Sequence, residues 1–359
     1  MPPRQLKNGY FIVEGLNSFS TTFYFYYFYF FTHQQFGVGN QTNLLLAALN
    51  GLVYAAMSWA GGHFAQRYGA FAALKLGFAT MIAALLAGTQ VHTLAGHVLV
   101  MVGTTIGTSF TWPALETLVS VGETRVSLPR MIGRYNVVWA ATGALAYFVG
   151  GGVLDQLGPA SFLLLPAAIV VVQLALIFGL ERAAKAGPPP SASNAEANDA
   201  LPEIPHAPTE TRLFLRMAWL ANPFAYIAIN TLVAVMPGVA ARLGLSTTLA
   251  GVFGSVWCFA RMGAFLGFWL WPGWHYRFRW LLAAFLALLA SFAAILTVPI
   301  LAWVVAAQLL FGVAIGLIYY SSLFYSMDAG DTKGEHGGIH EAAIGLGNCA
   351  GPALGAASL

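Results

Sequence analysis

The sequence predicts an all-α polytopic membrane protein made of two six-helix bundles related by an internal repeat, with the second bundle incomplete. Three observations support this fold class. The 359 residues are 58% hydrophobic and 8% charged, whereas a soluble domain carries about 25% charged residues. The apolar residues fall into eleven long runs. Several features also recur at one constant offset along the chain.

Each apolar run is long enough to cross the hydrocarbon core of a bilayer, which takes about 20 mostly apolar residues. The predicted spans are 9–32, 42–65, 71–90, 96–121, 130–152, 161–181, 212–240, 247–271, 279–298, 301–326 and 336–357. The first run is too long for the apolar core of a cleaved signal peptide, so we expect it to remain as a span.

The basic residues predict the orientation of these spans, because Lys and Arg accumulate at the cytoplasmic ends of membrane helices. With the amino terminus in the cytoplasm, fourteen of the sixteen basic residues lie on that side; only Arg242 is in an outer loop, and Arg261 is within a span. The cytoplasmic set is Arg4, Lys7, Arg67, Lys75, Arg125, Arg130, Arg134, Arg182, Lys185, Arg212, Arg216, Arg277, Arg279 and Lys333. We therefore expect an integral protein of a bacterial inner membrane.

The repeat appears when the chain is compared with itself at an offset of 205 residues, which places Asn17 on Asn222, Gly39 on Gly244 and Gly150 on Gly355. Parallel repeats of this kind are known in transporters. The predicted division is an N-terminal six-helix bundle at 1–181, a flexible cytoplasmic linker at 182–211 and a five-helix C-terminal bundle at 212–359.

The same offset applied to the sixth span predicts a twelfth helix near 366–386, beyond Leu359. We expect either a truncated chain or gene fragment, or an eleven-span protein whose carboxyl end lies outside.

The segment from Gly62 to Gly69, between the second and third spans, resembles a signature of the major facilitator superfamily, Gly-x-x-x-Asp-Arg-x-Gly. Gly62, Arg67 and Gly69 match it, whereas Gln66 replaces the acid. The fifth span, with Gly143 and Gly150, is similar to the glycine-rich fifth helix of that family, and Gly351-Pro352 repeats this character in the eleventh. The resemblance covers essentially the whole chain and implies a transporter with two helical bundles.

Four ionisable residues stand out inside the predicted spans: Glu14, Glu116, Arg261 and Glu341. Ionisable groups are costly in a membrane, so each is a candidate functional residue. We expect Arg261 to bind an anionic group of the solute or to pair with Glu341, while a glutamate exchanges a proton. Static ion pairs, or side chains that reach the membrane surface, are the alternative explanation.

Other polar residues of the spans extend this candidate set. By the repeat, Asn136 corresponds to Glu341, Tyr135 to His340, and Asn17 to Asn222. These positions fit solute contacts or helix packing equally well. His336 and His340 are one helical turn apart, but no third ligand accompanies them, so we predict neither a metal nor a cofactor.

The aromatic run from Phe23 to Phe31 is the densest in the chain. An interfacial aromatic belt is the favoured interpretation, and stacking on a sugar or nucleoside is the alternative. Trp112, Trp139 and Trp257 are open to the same two interpretations.

These observations predict a secondary active transporter that moves a small solute by alternating access, coupled to a proton or other ion gradient. We expect a monomer whose partners are the solute, the lipid bilayer and the coupling ion, with no nucleic acid because the basic residues are spread over short loops. A solute sensor without transport is the main alternative. An intramembrane metal-dependent enzyme using His340 and Glu341 is less favoured, so we predict no enzymatic activity.

Overall fold

The computed structural model describes residues 3–123, 127–186, 208–328 and 333–359, which are helical almost throughout. The first half contains six helices: α1 (Pro3–Phe36), α2 (Asn40–Tyr68), α3 (Ala70–Gly88), α4 (Leu94–Ser120), α5 (Leu128–Leu157) and α6 (Ser161–Ala186). The second half contains α7 (Pro208–Arg242), α8 (Thr247–Gly254), α9 (Val256–Leu270), α10 (Phe278–Thr297), α11 (Leu301–Asp328) and α12 (Lys333–Ser358).

Each predicted span corresponds to one of these helices, except that α8 and α9 together form the eighth span and are separated at Ser255. Most helices extend beyond the predicted bounds. The predicted linker is also shorter, because α6 continues to Ala186 and α7 begins at Pro208. The rest of the linker, and Arg125, lie outside the described residues.

Within the described part of the chain, nine segments are long and apolar enough to cross a membrane. Helices α1 and α12 are not among them. Helix α1 contains Glu14, Asn17 and Ser18, and α12 begins with the polar segment 333–341. Polar residues in a membrane helix have to be covered by other helices.

The internal repeat is confirmed by the helix bounds. At the offset of 205 residues, the end of α1 at Phe36 falls one residue before the end of α7 at Arg242, and the start of α2 at Asn40 falls two residues before the start of α8 at Thr247. Helices α1 and α7 are each followed by a glycine with a positive φ, 64° at Gly37 and 65° at Gly244, a conformation that favours glycine.

The halves pack together along two pairs of contacts. Helix α2 lies against α12, and α5 lies against both α8 and α9. A Cβ atom on Gly51 of α2 would collide with the backbone of Asn348, and one on Gly151 of α5 would collide with the backbone of Thr247. Glycine at these positions lets the helices of the two halves approach closely.

Ion pairs define one end of the molecule, which we call the basic end. Lys7 in α1 pairs with Glu123 after α4 at 2.9 Å, and Lys75 in α3 pairs with Glu181 in α6 at 2.9 Å. Burial opposes the ionisation of Glu123, but hydrogen bonds from Ser127 and Lys7 outweigh it, together with the charges of Lys7 and Arg134. The pKa of this carboxyl group is therefore below its ordinary value.

The aromatic run of α1 is part of the packed interior, so the favoured prediction of an interfacial belt is wrong. Phe23, Tyr24, Tyr27 and Phe28 are buried. Tyr24 stacks on Phe162 of α6, with ring centres 5.0 Å apart. These rings hold α1 against α5 and α6, because large aromatic side chains bury the most apolar surface.

Candidate functional site

A cavity of about 140 Å³ lies between the two halves. Helices α1, α2, α4 and α5 line it from the first half, and α7, α9, α11 and α12 line it from the second. Its polar and aromatic lining includes Ser18, Thr21, Thr22, Tyr26, Asn50, Tyr54, Thr105, Thr108, Trp112, Glu116, Tyr135, Trp139, Tyr226, Asn230, Arg261, Tyr319 and Asn348. Of the predicted site residues, Glu116, Gly143 and Arg261 line this cavity.

Arg261 is the buried cation of the cavity, with a relative exposure of 5%. Its guanidinium carbon lies 4.3 Å from the ring centre of Trp139 in α5 and 5.0 Å from that of Trp257 in α9. Among the described side chains, Arg261 has no ion-pair partner, and its Nε has no hydrogen-bond partner. The two indole faces stabilise the cation and hold it at the boundary between the halves.

Two hydrogen-bonded side-chain pairs complete the polar lining, one between a hydroxyl and an amide and one between two amides. Neither pair was predicted from the sequence. Thr105 donates a hydrogen bond to Asn50 Oδ1. Asn230 donates one to Asn348 Oδ1 and another to the carbonyl of Tyr226. An asparagine inside an apolar run was the available signal for these residues, because a buried amide needs hydrogen-bond partners. The repeat did not strengthen this signal, since it aligns Asn50 with Ser255 and Asn230 with Phe25.

Glu14 is fully buried in α1 but does not line the cavity. Trp112 and Tyr135, which do line it, are the polar side chains next to the carboxyl group of Glu14. Neither completes a hydrogen bond of ordinary geometry, since both carboxyl oxygens of Glu14 lack a partner within the described residues. A buried carboxyl group without a partner is costly, which marks this position as a candidate for function.

The three predicted asparagines are buried but do not line the cavity. Asn17 donates to Thr111 of α4 at 3.3 Å. Asn136 Oδ1 and both amide atoms of Asn222 are buried without partners among the residues described. None of the three lines the cavity in this conformation, so a role in solute binding stays a prediction.

The signature residues lie at the C-terminal end of α2, near the basic end. Gly69 ends α2 with a φ of 89°, a conformation that favours glycine. Gln66 and Arg67 are exposed, and Arg67 lies 5.3 Å from the ring of Tyr68. Gly62 has open space around its Cα. Within the described structure, no acidic side chain pairs with Arg67.

The other predicted motif residues are packing positions. Gly143 lies against Ser18 and Thr22 of α1, and Gly150 lies against Tyr27 and Phe23. Gly351 lies against the backbone of α7 at Ile227, and the neighbouring Pro352 is buried. These contacts connect α5 with α1, and α12 with α7.

His340 and Glu341 are in α12, but their side chains fall outside the described part of the structure. The predicted pair between Arg261 and Glu341 therefore stays a prediction. Among the residues that were described, no group of three or more His, Cys, Asp or Glu side chains is placed to hold a metal ion.

Hydrogen bonds join the two halves at the end opposite the basic end. Asp155 after the glycines of α5 accepts from the backbone N–H of Thr248 at 3.0 Å and from its hydroxyl at 2.6 Å. Gln34 of α1 donates to the hydroxyl of Thr247 at 2.9 Å, and Gln41 of α2 donates to the carbonyl of Ala356 at 3.1 Å. Polar contacts thus bridge the halves at both interfaces of this end.

Solved structures of transporters share this fold. A bacterial homologue of the human lysosomal transporter Spinster, in an inward-facing and unoccupied conformation, is 17% identical, with a TM-score of 0.69 over 98% of this chain and 81% of that chain. The nucleoside transporter NupG is 13% identical, with a TM-score of 0.70 over 98% of this chain and 90% of that chain. No curated protein matches the sequence.

The sequence also matches the family described as Major Facilitator Superfamily over residues 10–355. That range includes all the lining residues of the cavity and both halves of the repeat. Together with the helical fold and its apolar spans, it makes this protein an integral membrane transporter for a small-molecule solute. The chain belongs to the major facilitator superfamily.

Proposed function

We propose that this protein is a secondary active transporter that moves its solute by alternating access of the central cavity, driven by a proton or another ion gradient. The observation that carries the proposal is the position of Arg261, a buried cation held between rings of both halves in the cavity that separates them. Relative motion of the halves changes such a site directly, which is how rocking bundles expose a central site to each side in turn.

The contacts between the halves support a conformation that is closed at the end opposite the basic end. Asp155 and Thr248 join α5 to α8 there, and Gln41 joins α2 to α12. Transport requires these contacts to break and others to form at the basic end. The amino terminus, at the basic end, is cytoplasmic in this proposal, and the membrane is a bacterial inner membrane.

We place the coupling site of this proposal at Glu14. Glu14 lies behind Trp112 and Tyr135, one layer away from the cavity. A carboxyl group there can take up or release a proton when the cavity opens to one side and water reaches it past Trp112 and Tyr135. Residues 1–181 and 212–359 act as the two moving units, joined by the linker between α6 and α7, and the protein acts as a monomer.

Reconstitution into liposomes tests the proposal. We expect the purified protein to accumulate its solute when a pH or ion gradient is imposed, and to catalyse only exchange when the gradient is dissipated. Solute binding without uptake under every gradient would instead favour the sensor.

A further inference from the structure

We propose that the cavity binds a small organic anion, a monocarboxylate on a flat apolar body, with the carboxylate at Arg261. This inference rests on the proposed function only in taking the cavity's ligand to be the transported solute.

The charge of the cavity is the first argument. Arg261 is 5% exposed, and its charge is met by two indole faces and by no acidic side chain among those described. Glu116 lines the same cavity, and none of the ion pairs among the described residues joins it to Arg261. Among the described residues this buried cation has no counter-ion, which is costly, and an anionic ligand supplies one.

The geometry of the guanidinium favours a carboxylate. Its carbon lies over the rings of Trp139 and Trp257, and the N–H group at Nε has no hydrogen-bond partner in the described structure. The edge of an arginine presents parallel N–H donors that match both oxygens of a carboxylate.

The amides of the lining favour the same class. The Oδ1 atoms of Asn50 and Asn348 already accept hydrogen bonds from Thr105 and Asn230, so their amide N–H groups are the part that can donate to a ligand. With Arg261, the cavity offers several donors from both halves. An acceptor-rich anion satisfies them, whereas an organic cation does not.

The walls and the volume indicate a flat ligand of about one ring. Trp139 stacks on Tyr319 with ring centres 5.4 Å apart, and Trp112 meets Tyr54 edge-on at 6.2 Å. Aromatic walls accommodate a flat ring in stacked or edge arrangements. The cavity volume of about 140 Å³ is close to that of an engineered protein cavity, of about 150 Å³, that binds benzene.

Thermal unfolding of the purified full chain in detergent tests this with four matched probes: benzoate, benzamide, benzylamine and cyclohexanecarboxylate. Benzoate and benzamide have nearly the same shape but differ in charge, benzylamine carries the opposite charge, and cyclohexanecarboxylate is an anion that is not flat. We expect benzoate to raise the Tm at the lowest concentration, and benzylamine to have no effect. Equal or stronger stabilisation by benzamide or benzylamine, or no shift with benzoate at millimolar concentrations, overturns the proposal.

Two arginine variants locate the effect. We expect Arg261→Gln to weaken benzoate binding by about 10- to 100-fold, the amount typical of a hydrogen-bonded charge. Arg279→Gln is the matched control, because Arg279 also lies over a tryptophan, Trp280 at 5.4 Å, but is exposed and away from the cavity. Unchanged benzoate binding in Arg261→Gln overturns the proposal. If Arg261→Gln does not fold, the comparison of benzoate with benzamide on the unaltered protein tests the ligand class instead.

Flux measurements separate this inference from the proposed function. Binding of benzoate without its movement across proteoliposomes under any gradient contradicts transport and leaves the ligand class standing. Uptake of a neutral or cationic solute that is not inhibited by benzoate contradicts the ligand class and leaves transport standing.

Discussion

The guanidinium carbon of Arg261 lies 4.3 Å from the ring centre of Trp139, and the two residues belong to different halves of the chain. The contact places a charge of the second half against a ring of the first, inside the cavity that both halves line. Any movement of one half relative to the other changes this contact. The pair is therefore both a part of the binding site and a measure of the distance between the halves.

Replacing Trp139 by leucine is expected to weaken solute binding while leaving the fold intact. A buried cation–π contact is worth about 0.5–2 kcal/mol, so the apparent affinity should fall by roughly two- to thirtyfold. Binding to purified protein and initial rates of uptake measure the change. Trp59→Leu is the control, because Trp59 is 71% exposed on α2 and does not line the cavity. Equal losses in both variants would indicate a general effect of removing a tryptophan.

Replacing Glu14 by glutamine is expected to uncouple transport from the pH gradient. The amide has nearly the shape of the carboxyl group, so packing is retained, but it cannot exchange a proton. Solute accumulation in proteoliposomes should fall to the equilibrium level while exchange without a gradient continues.

Glu123→Gln is the control for this measurement, because Glu123 lies at the basic end and pairs with Lys7. It should retain accumulation. The same assay on Glu341→Gln tests the glutamate predicted from the sequence, which should also lose accumulation. Undiminished accumulation in Glu14→Gln would show that the coupling site is elsewhere.

The ion pair between Glu123 and Lys7 predicts a pH dependence of stability. The pKa of Glu123 is below its ordinary value of 4.5, so the ionised form stabilises the folded state. This contribution is fully present above about pH 4.5 and is lost as the pH falls through the lower folded pKa. The Tm of the wild type relative to Glu123→Gln should therefore be higher at pH 7, by about 2 °C or less for a partly exposed pair. The difference should disappear on acidification. A difference that is constant between pH 7 and pH 3 contradicts this role.

The helices could be predicted from the sequence because span length and apolar composition are local properties. Arg261 was identified because a charge in an apolar span is conspicuous. Trp139 was left with two interpretations, since nothing local tells a cavity wall from an interfacial ring. Asp155 was not identified, because its partner, Thr248, is 93 residues away and only the packing of α5 against α8 brings the two together.

Replacing Asp155 by alanine is expected to favour opening of the end opposite the basic end. Asp155 accepts two hydrogen bonds from Thr248, across the boundary between the halves. Their loss should cost the closed state about 0.5–1.5 kcal/mol, which corresponds to a roughly two- to tenfold shift in the population of open molecules.

Labelling of a single cysteine measures this shift. Thr22 lines the cavity, so Thr22→Cys, in a chain with Cys258→Ser and Cys349→Ala, reports access to it. A membrane-impermeant thiol reagent added from the side of the opposite end should react two- to tenfold faster when Asp155 is alanine. Gln156→Ala, the exposed neighbour, should leave the rate unchanged.

Thr248→Val should raise the labelling rate by part of this amount, since it removes the hydroxyl and keeps the backbone N–H. The double variant with Asp155→Ala should show no further increase, because the hydroxyl acts through Asp155. Additive increases would mean that the two side chains stabilise the closed end independently.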